Sequence, residues 1–262
     1  MAVIAVFSIK GGVGKTTLAT ELAWRWARDG RHDTLLWDLD PQGGAGFLLG
    51  IDPPQRQRAA AIFQREGRPR EAIVDSGYQG LSLLPADPSL RQLPLHLARL
   101  GPRRLPQVAS LLRGTWPRIV LDCPAGLTAV TEQALAAADA IIVPLPPSPL
   151  SLRALGQLRE ELLRLHHRHA PILPVLSMYN RSRPIHRALR TGDAGAWPVI
   201  PMSTHVEQVA VRRAPLSSFA QGSQVDRAFD RLWRGIEAKV AARSGQSARS
   251  ALPADGTRSA YA

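Results

Sequence analysis

Two of the three lysines in this chain, Lys10 and Lys15, stand in one eight-residue run, KGGVGKTT, whereas the other basic side chains are arginine apart from Lys239. Lysine is retained where a compact ammonium charge is wanted. The run follows the apolar segment Val3-Ile4-Ala5-Val6-Phe7 and precedes Leu18-Ala19-Thr20-Glu21-Leu22-Ala23, which predicts a strand, a glycine loop and a helix. Gly11, Gly12 and Gly14, with Val13 between them, let the backbone bend tightly and turn successive N–H groups inward, while the new helix adds the positive end of its dipole. The chemistry expected of such a nest is the binding of a polyphosphate. Lys15 is expected to reach the β- and γ-phosphates, the Thr16 hydroxyl to ligate Mg2+, and Thr17 to lie near the α-phosphate.

Three acids stand where strands should end. Asp122 closes the apolar run Arg118-Ile119-Val120-Leu121, a position from which a carboxylate can hold Mg2+ through water. Asp38 and Asp40 flank Leu39 at the end of Thr34-Leu35-Leu36-Trp37 and would share one face of an extended strand, directed at the metal and an attacking water. Cys123, the lone cysteine, excludes a disulfide within the chain and a Cys-x-x-Cys metal knot. It is expected to be a buried apolar thiol. His166, His167 and His169 sit at a helix end without an accompanying acid cluster and read as a polar terminus rather than a metal site.

The elements that must position these groups alternate. Strands are expected at 3–7, 34–40, 81–84, 118–122, 140–143, 171–178 and 198–200. Helices are expected from the glycine loop to about Gly30, around 90–100 and 105–112, and over 127–138 and 150–169, with a closing helix marked by Val225, Phe229, Leu232, Trp233, Ile236 and Val240. Residues 52–70 read as a helix with loops. The order predicts an α/β fold, a doubly wound, mostly parallel sheet flanked by helices, in one domain over 1–243. A polar tail over 244–262 is expected to be disordered. No apolar stretch approaches membrane-spanning length, and with no secretory signal ahead of the first strand the expected location is the cytoplasm.

Charge is uneven. Of the net +12, residues 1–150 contribute +3 and residues 151–262 contribute +9. A polyanion partner is the natural inference, since arginines facing phosphates release counterions without reading sequence. The candidates are Arg187 and Arg190 beside Arg181 and Arg183, then Arg212 and Arg213, then Arg231 and Arg234, which follow Arg227 at i+4 and i+7 on the closing helix.

The usual phosphate-loop pattern would place a glycine where this chain has Ile9, and a second lysine follows at position 10. In that departure, and in the blocks DLDPQGGAG and DCPAG, the sequence resembles the deviant Walker A ATPases of the ParA/MinD group, over roughly Val3 to Val240. The resemblance implies an ATP-sandwich homodimer in which Lys10 reaches the nucleotide of the other subunit. It implies that Asp40 orients or activates the attacking water, with Asp38 a second acid near the Mg2+ shell, and that Cys123-Pro124-Ala125-Gly126 is a mobile switch segment. The adenine is expected at Met178-Tyr179-Asn180 and Pro201-Met202, with Asn180 and Pro201 as contacts. On the ParA side of the group the ATP-bound dimer holds DNA without sequence preference, associates with the nucleoid, and hydrolyses ATP slowly until a ParB-like or other cargo adaptor stimulates it, so that DNA or a protein cargo is segregated or positioned. The segment VAVRRAPLSSFAQG is similar to a late block of that family but lacks its acid, leaving a more basic loop. Two alternatives come with the resemblance: a MinD-like membrane-associated regulator or cellulose-synthesis accessory ATPase, and a metabolic ATP-dependent ligase. Asp226, Asp230 and Glu237 on the closing helix favour packing against the sheet over membrane contact.

Overall fold

A computed structural model describes residues 1–52, 59–64, 68–165, 169–192 and 194–250. The strands are β1 (Ala2–Val6), β2 (Thr34–Asp38), β3 (Val74–Asp75), β4 (Leu81–Leu84), β5 (Arg118–Asp122), β6 (Ala140–Leu145), β7 (Ile172–Tyr179) and β8 (Val199–Pro201). They form one sheet in the order β3-β4-β2-β5-β1-β6-β7-β8, parallel throughout except for the antiparallel edge pair β3–β4. Every residue of β1, β2, β5 and β6 is buried, as a central parallel sheet covered on both faces requires.

The covering layers are α1 (Lys15–Arg28), α2 (Gly44–Leu48), α3 (Leu93–Leu100), α4 (Arg104–Arg113), α5 (Ala129–Ala137), α6 (Pro149–Leu165), α7 (Pro184–Thr191), α8 (Thr204–Arg212) and α9 (Gln224–Ser250). Alternate residues of the strands feed two separate cores. Ala5, Leu35, Trp37, Ile119 and Leu121 pack with α4, α5 and α6 on one face. Ile4, Val6, Leu36 and Val120 pack on the other against Leu22 and Trp26 of α1 and Phe229, Trp233 and Ile236 of α9. Full burial of each large side chain contributes about 1.5–3 kcal/mol, so α9 is held by its apolar stripe. It is also pinned by charge, since Glu237 accepts from Trp26 Nε1 at 2.6 Å and pairs with Arg118.

Several expectations shift. β2 ends at Asp38, so Asp40 lies in the following turn and the two acids do not share a strand face. The described parts of 52–70 contain 3₁₀ turns at Ala61–Phe63 and Pro69–Ala72 where a helix with loops was expected; 53–58 and 65–67 lie outside the described residues. That segment is anchored by Phe63, stacked on Trp37 with centroids 5.7 Å apart, and by Asp87, which accepts from Ala59 N at 2.7 Å. Helix α8 takes in the first four residues, 209–212, of the stretch read as a basic loop, and α9 continues to Ser250, into the segment read as a tail; 251–262 lie outside the described residues. Of the three histidines, His166 and His167 lie outside as well, while His169 Nδ1 bonds the Ala170 carbonyl at 2.7 Å.

Beyond Lys15 in its first turn, helix α1 buries the charged side chains Glu21 and Arg25. Glu21 is fully buried and accepts from Leu216 N through Oε1, while its Oε2 has no partner; burial pushes its pKa up to about 7. A carboxyl whose folded pKa exceeds the unfolded 4.5 supports folding most below pH 4.5 and loses that support as pH rises through 7. Glu21→Gln is therefore expected to flatten this part of the pH–stability profile and to be the more stable chain at pH 8, by up to about 3 kcal/mol at 1.36 kcal/mol per pKa unit. Thermal melts from pH 5 to 8 measure it, and a wild-type-minus-variant difference that does not change with pH would contradict the assignment.

Candidate functional site

The carboxyl ends of β1, β2 and β5 meet at one rim. Val6 of β1 and Asp38 of β2 are both register partners of Asp122 on β5, so the two acids are lateral neighbours beneath the loop that leaves β1. That loop turns through Gly12 (φ 69°) and Gly14 (φ 87°), conformations that cost a side-chain-bearing residue energy. A Cβ at Gly12 would meet nothing within 4 Å, so the demand there is purely on backbone angle. Gly14 caps α1, and Leu18 N closes the first turn on its carbonyl at 3.0 Å. Lys15 opens the helix, is only 8% exposed, and donates from Nζ to the Lys10 carbonyl at 3.3 Å. Lys10 itself is half-buried in the same loop.

The acids are not equivalent. Asp38 is 1% exposed and braces the local backbone: Oδ1 accepts from Asp40 N and Oδ2 from Ala45 N, both at 3.0 Å. Burial, with a smaller push from the Asp40 charge, raises its pKa to about 7 against those two N–H donors. Asp122 is wholly buried and neither carboxylate oxygen has a hydrogen-bond partner, although the Thr16 hydroxyl lies near enough to favour its charged form. Burial first, and Asp38 second, hold its pKa well above the usual carboxylate range. Two buried neighbouring carboxyls with an orphaned pair of oxygens and an adjacent hydroxyl suit a hard cation that shares its shell with phosphate and water. Thr16 and Asp122 are thus the residues best placed to hold Mg2+, with Asp38 behind them.

Asp40 is half-buried in the turn that closes with Gly43 N on the Asp40 carbonyl at 2.9 Å, and its Oδ1 accepts from Gln42 N at 3.1 Å. The turn delivers α2 onto α1 so closely that a Cβ at Gly44 would lie 3.1 Å from Thr16 Cγ2. Thr17 lines an apolar cavity beside the loop, and the sulfur of Cys123 is buried, with burial and the Asp122 charge pushing its pKa up, which makes it an unreactive thiol.

That cavity, of about 120 Å3, is bounded by Val13, Gly14, Leu18, Met178, Ile200 and Pro201. Pro201, expected as an adenine contact, lies on its wall. Asn180 is not on its wall: Asn180 Oδ1 accepts from Ser182 N at 2.9 Å, and the residue faces an adjoining cleft of about 540 Å3 together with Arg231. Ser177 lines the apolar cavity, is 7% exposed and has an unpartnered Oγ. It escaped the sequence reading; its signal was a lone hydroxyl inside an apolar strand. Met178 follows with φ 54° at an irregularity between β7 and β8, which carries its side chain over Gly14.

The arginines divide. Arg190 is half-buried and donates to the Trp197 carbonyl at 2.6 Å, a strut rather than a free charge. Arg187 donates to the Arg181 carbonyl at 3.0 Å; Arg212 stacks on Phe219; Arg234 pairs with Asp230 at 3.0 Å; all three are exposed. Arg213 is engaged by Asp52 at 2.6 Å. Arg231 alone of the six has no hydrogen bond or ion pair among the described residues.

A parallel sheet with a glycine loop, a buried lysine and two strand-end acids at its carboxyl rim defines the P-loop nucleoside triphosphatase class. Comparison with known proteins narrows it. The family model described as an AAA domain matches residues 1–175. The chromosome partitioning protein ParA of Caulobacter vibrioides is 30% identical over 263 residues, 95% of this chain and 98% of that protein. The chromosome-partitioning ATPase Soj of Thermus thermophilus is 32% identical over 247 residues, 90% and 96% of the two chains. Among solved structures, the septum site-determining protein MinD of Pyrococcus horikoshii, complexed with Mg-ADP, superposes with a TM-score of 0.72 at 23% identity, covering 90% of this chain and 95% of the other, a likeness of fold. The chain belongs to the ParA family of deviant Walker A ATPases.

Proposed function

We propose that this chain is a Mg2+-dependent ATPase that pairs on ATP, holds DNA without sequence preference while paired, and lets go when a partner stimulates hydrolysis. The observation that carries the nucleotide part is the buried, unpartnered Asp122 carboxylate beside Thr16 beneath a loop bearing two lysines. Mg2+, held by Thr16 and Asp122, would neutralise phosphate charge. The N–H groups of 11–17 cradle the phosphates, and Lys15 swings from the Lys10 carbonyl onto the β- and γ-oxygens. Lys10 reaches the γ-phosphate of the partner, so that binding and pairing are coupled. Asp40, on its turn, accepts a hydrogen bond from the water whose oxygen attacks the γ-phosphorus as the bond to the bridging oxygen of ADP breaks. Asp38 fixes that turn through its two backbone bonds. The base enters the apolar cavity against Pro201, with Ser177 Oγ and the Asn180 amide as polar groups beside it. Hydrolysis without a partner would be slow, since the segments 8–17, 39–46 and 123–128 carry no arginine that could stabilise charge at the γ-phosphate.

DNA binding rests on the +9 surplus of residues 151–262 and on the exposed Arg187, Arg212, Arg231 and Arg234. It places the ATP-bound protein on the nucleoid and leaves cargo to a ParB-like or other adaptor. No helix among the described residues is long and apolar enough to cross a membrane. If the dimer neutralises six to ten phosphates, affinity should fall by about 10³–10⁵ between 50 and 200 mM salt. Arg231→Ala should lower the slope of log affinity against log salt by about 1. Binding titrations on mixed-sequence duplexes measure both; a flat salt response, or ATP-dependent flotation with liposomes and none with DNA, would replace this function by the membrane-associated alternative.

A further inference from the structure

Helix α8 ends at Arg212, and the chain turns at Arg213, whose φ of 50° is left-handed. The Arg213 side chain does not extend freely toward solvent. Its Nε donates to the Phe47 carbonyl at 3.2 Å, its Nη2 pairs with Asp52 Oδ1 at 2.6 Å, and the guanidinium lies over the Phe47 ring at 4.9 Å. Backbone approaches backbone there too: a Cβ at Gly50 would lie 3.2 Å from the Arg213 carbonyl oxygen. Residue 213 is thus packed onto the carboxyl end of α2. That helix begins at Gly44, against Thr16, directly after the turn that carries Asp40.

The residues that follow are held from the other side by α1. Leu216 N donates to Glu21, and Arg25 donates to Ser217 Oγ at 2.7 Å and pairs with Asp226, all within the buried interior. The segment 212–217 is therefore clasped between two helices whose first turns border the phosphate site. One clasp is deep and fixed. The other is shallow, because Asp52 has 82% of its side chain exposed. Exposed pairs of this kind add little to stability, yet a contact made in one of two arrangements and lost in the other shifts their ratio several-fold.

We propose that Arg213 is a coupling residue and not a polyanion contact: it ties the position of α2, and with it the Asp40 turn, to the presentation of Arg212 and the surrounding basic surface. The proposal rests on the reading of nucleotide-dependent DNA binding. A positioning role predicts that Arg213→Gln and Asp52→Asn behave alike, since each removes one half of the same clasp. A DNA contact predicts the opposite, because removing an acid from a DNA-facing surface strengthens binding.

The test is DNA affinity of the full chain with Mg·ATP and with Mg·ADP, across salt, for wild type, Arg213→Gln, Asp52→Asn and Arg212→Gln. The expected result is that Arg213→Gln and Asp52→Asn each shrink the ATP-to-ADP affinity ratio at least about 5-fold and leave the salt slope unchanged, whereas Arg212→Gln lowers the slope and keeps the ratio. Arg213→Gln with a lower slope and an intact ratio, or Asp52→Asn with tighter binding in both states, overturns the proposal. Should wild type bind no DNA in either state, the functional reading fails, and hydrogen exchange of the amides of 213–218 decides the coupling separately. Nucleotide-dependent protection there that both variants abolish supports it; protection that is the same with ATP and ADP in wild type overturns it.

Discussion

Lys15→Ala is expected to bind no nucleotide that titration at accessible concentrations can detect. Lys15 is buried at the phosphate loop, and among the described residues its Nζ has the Lys10 carbonyl as its one hydrogen-bond acceptor, at 3.3 Å. Bound to ATP it would exchange that long neutral contact for charge-assisted bonds to two phosphoryl oxygens. At about 1.5–3 kcal/mol each, two such bonds amount to about 10²- to 10⁴-fold in affinity, taking about 1.4 kcal/mol per factor of ten. The substitution removes a partly desolvated charge and no apolar contact of the core, so the fold should survive. Calorimetric titration with Mg·ATP, together with thermal melts with and without nucleotide, measures both effects. Wild-type affinity in the variant would show that the polyphosphate is held elsewhere.

Asp40→Ala should do nearly the reverse, keeping ATP within a few-fold of wild-type affinity and losing turnover by about 10²–10⁴, the usual contribution of a positioned general base. The side chain stands in a turn beyond β2 and outside the buried pair, so removing it leaves Asp38, Asp122 and Thr16 in place. One structural cost must be separated from the chemical one, because Asp40 Oδ1 also accepts from Gln42 N. Asp40→Asn retains that acceptor and only loses the charge. If Asn restores turnover that Ala lost, the role of Asp40 is to hold the turn; if both are inactive with ATP bound, the carboxylate acts on water. Single-turnover phosphate release distinguishes the two.

How far the sequence foretold this site depended on whether a residue's role is local. The glycine loop was legible because three glycines, a lysine and flanking apolar runs encode strand, nest and helix within twenty residues. β5 was legible to its last residue because Arg118 and Asp122 bracket three apolar side chains. Asp40 misled by alternation: period-two spacing puts Asp38 and Asp40 on one face only while the chain stays extended, and the Asp38 carboxylate itself ends the strand by capturing the N–H groups of Asp40 and Ala45. The edge strand β3 went unread because two residues carry no periodicity, whereas its neighbour β4 was expected at 81–84 and lies there. α8 went unread because Ala-Val-Arg-Arg ahead of a proline resembles a loop, although Ser203 caps the helix through its bond from His205 N at 3.2 Å. Arg213 and Ser177 were beyond reach for a different reason. Whether an arginine meets phosphate or Asp52, and whether a strand hydroxyl is satisfied or orphaned, depends on contacts between distant parts of the chain.

The same distinction separates surface charge from available charge. Net +12 counts every arginine alike, yet Arg25 and Arg118 are consumed in ion pairs that fasten α9 to α1 and β5, and Arg190 holds carbonyls. Exposed arginines without an acid partner among the described residues include Arg187 on α7, Arg212 at the end of α8 and Arg231 on α9, the last lining the cleft that Asn180 also faces.

Pairing through Lys10 is the centre of the account, and sedimentation equilibrium of the hydrolysis-blocked Asp40→Ala chain tests it most directly. With Mg·ATP the chain of 28.5 kDa should sediment as two copies, and with Mg·ADP as one. Adding Lys10→Ala should return the ATP-loaded protein to single chains that still hold nucleotide. Single chains of Asp40→Ala with ATP bound, or a dimer indifferent to the loss of Lys10, would contradict the account.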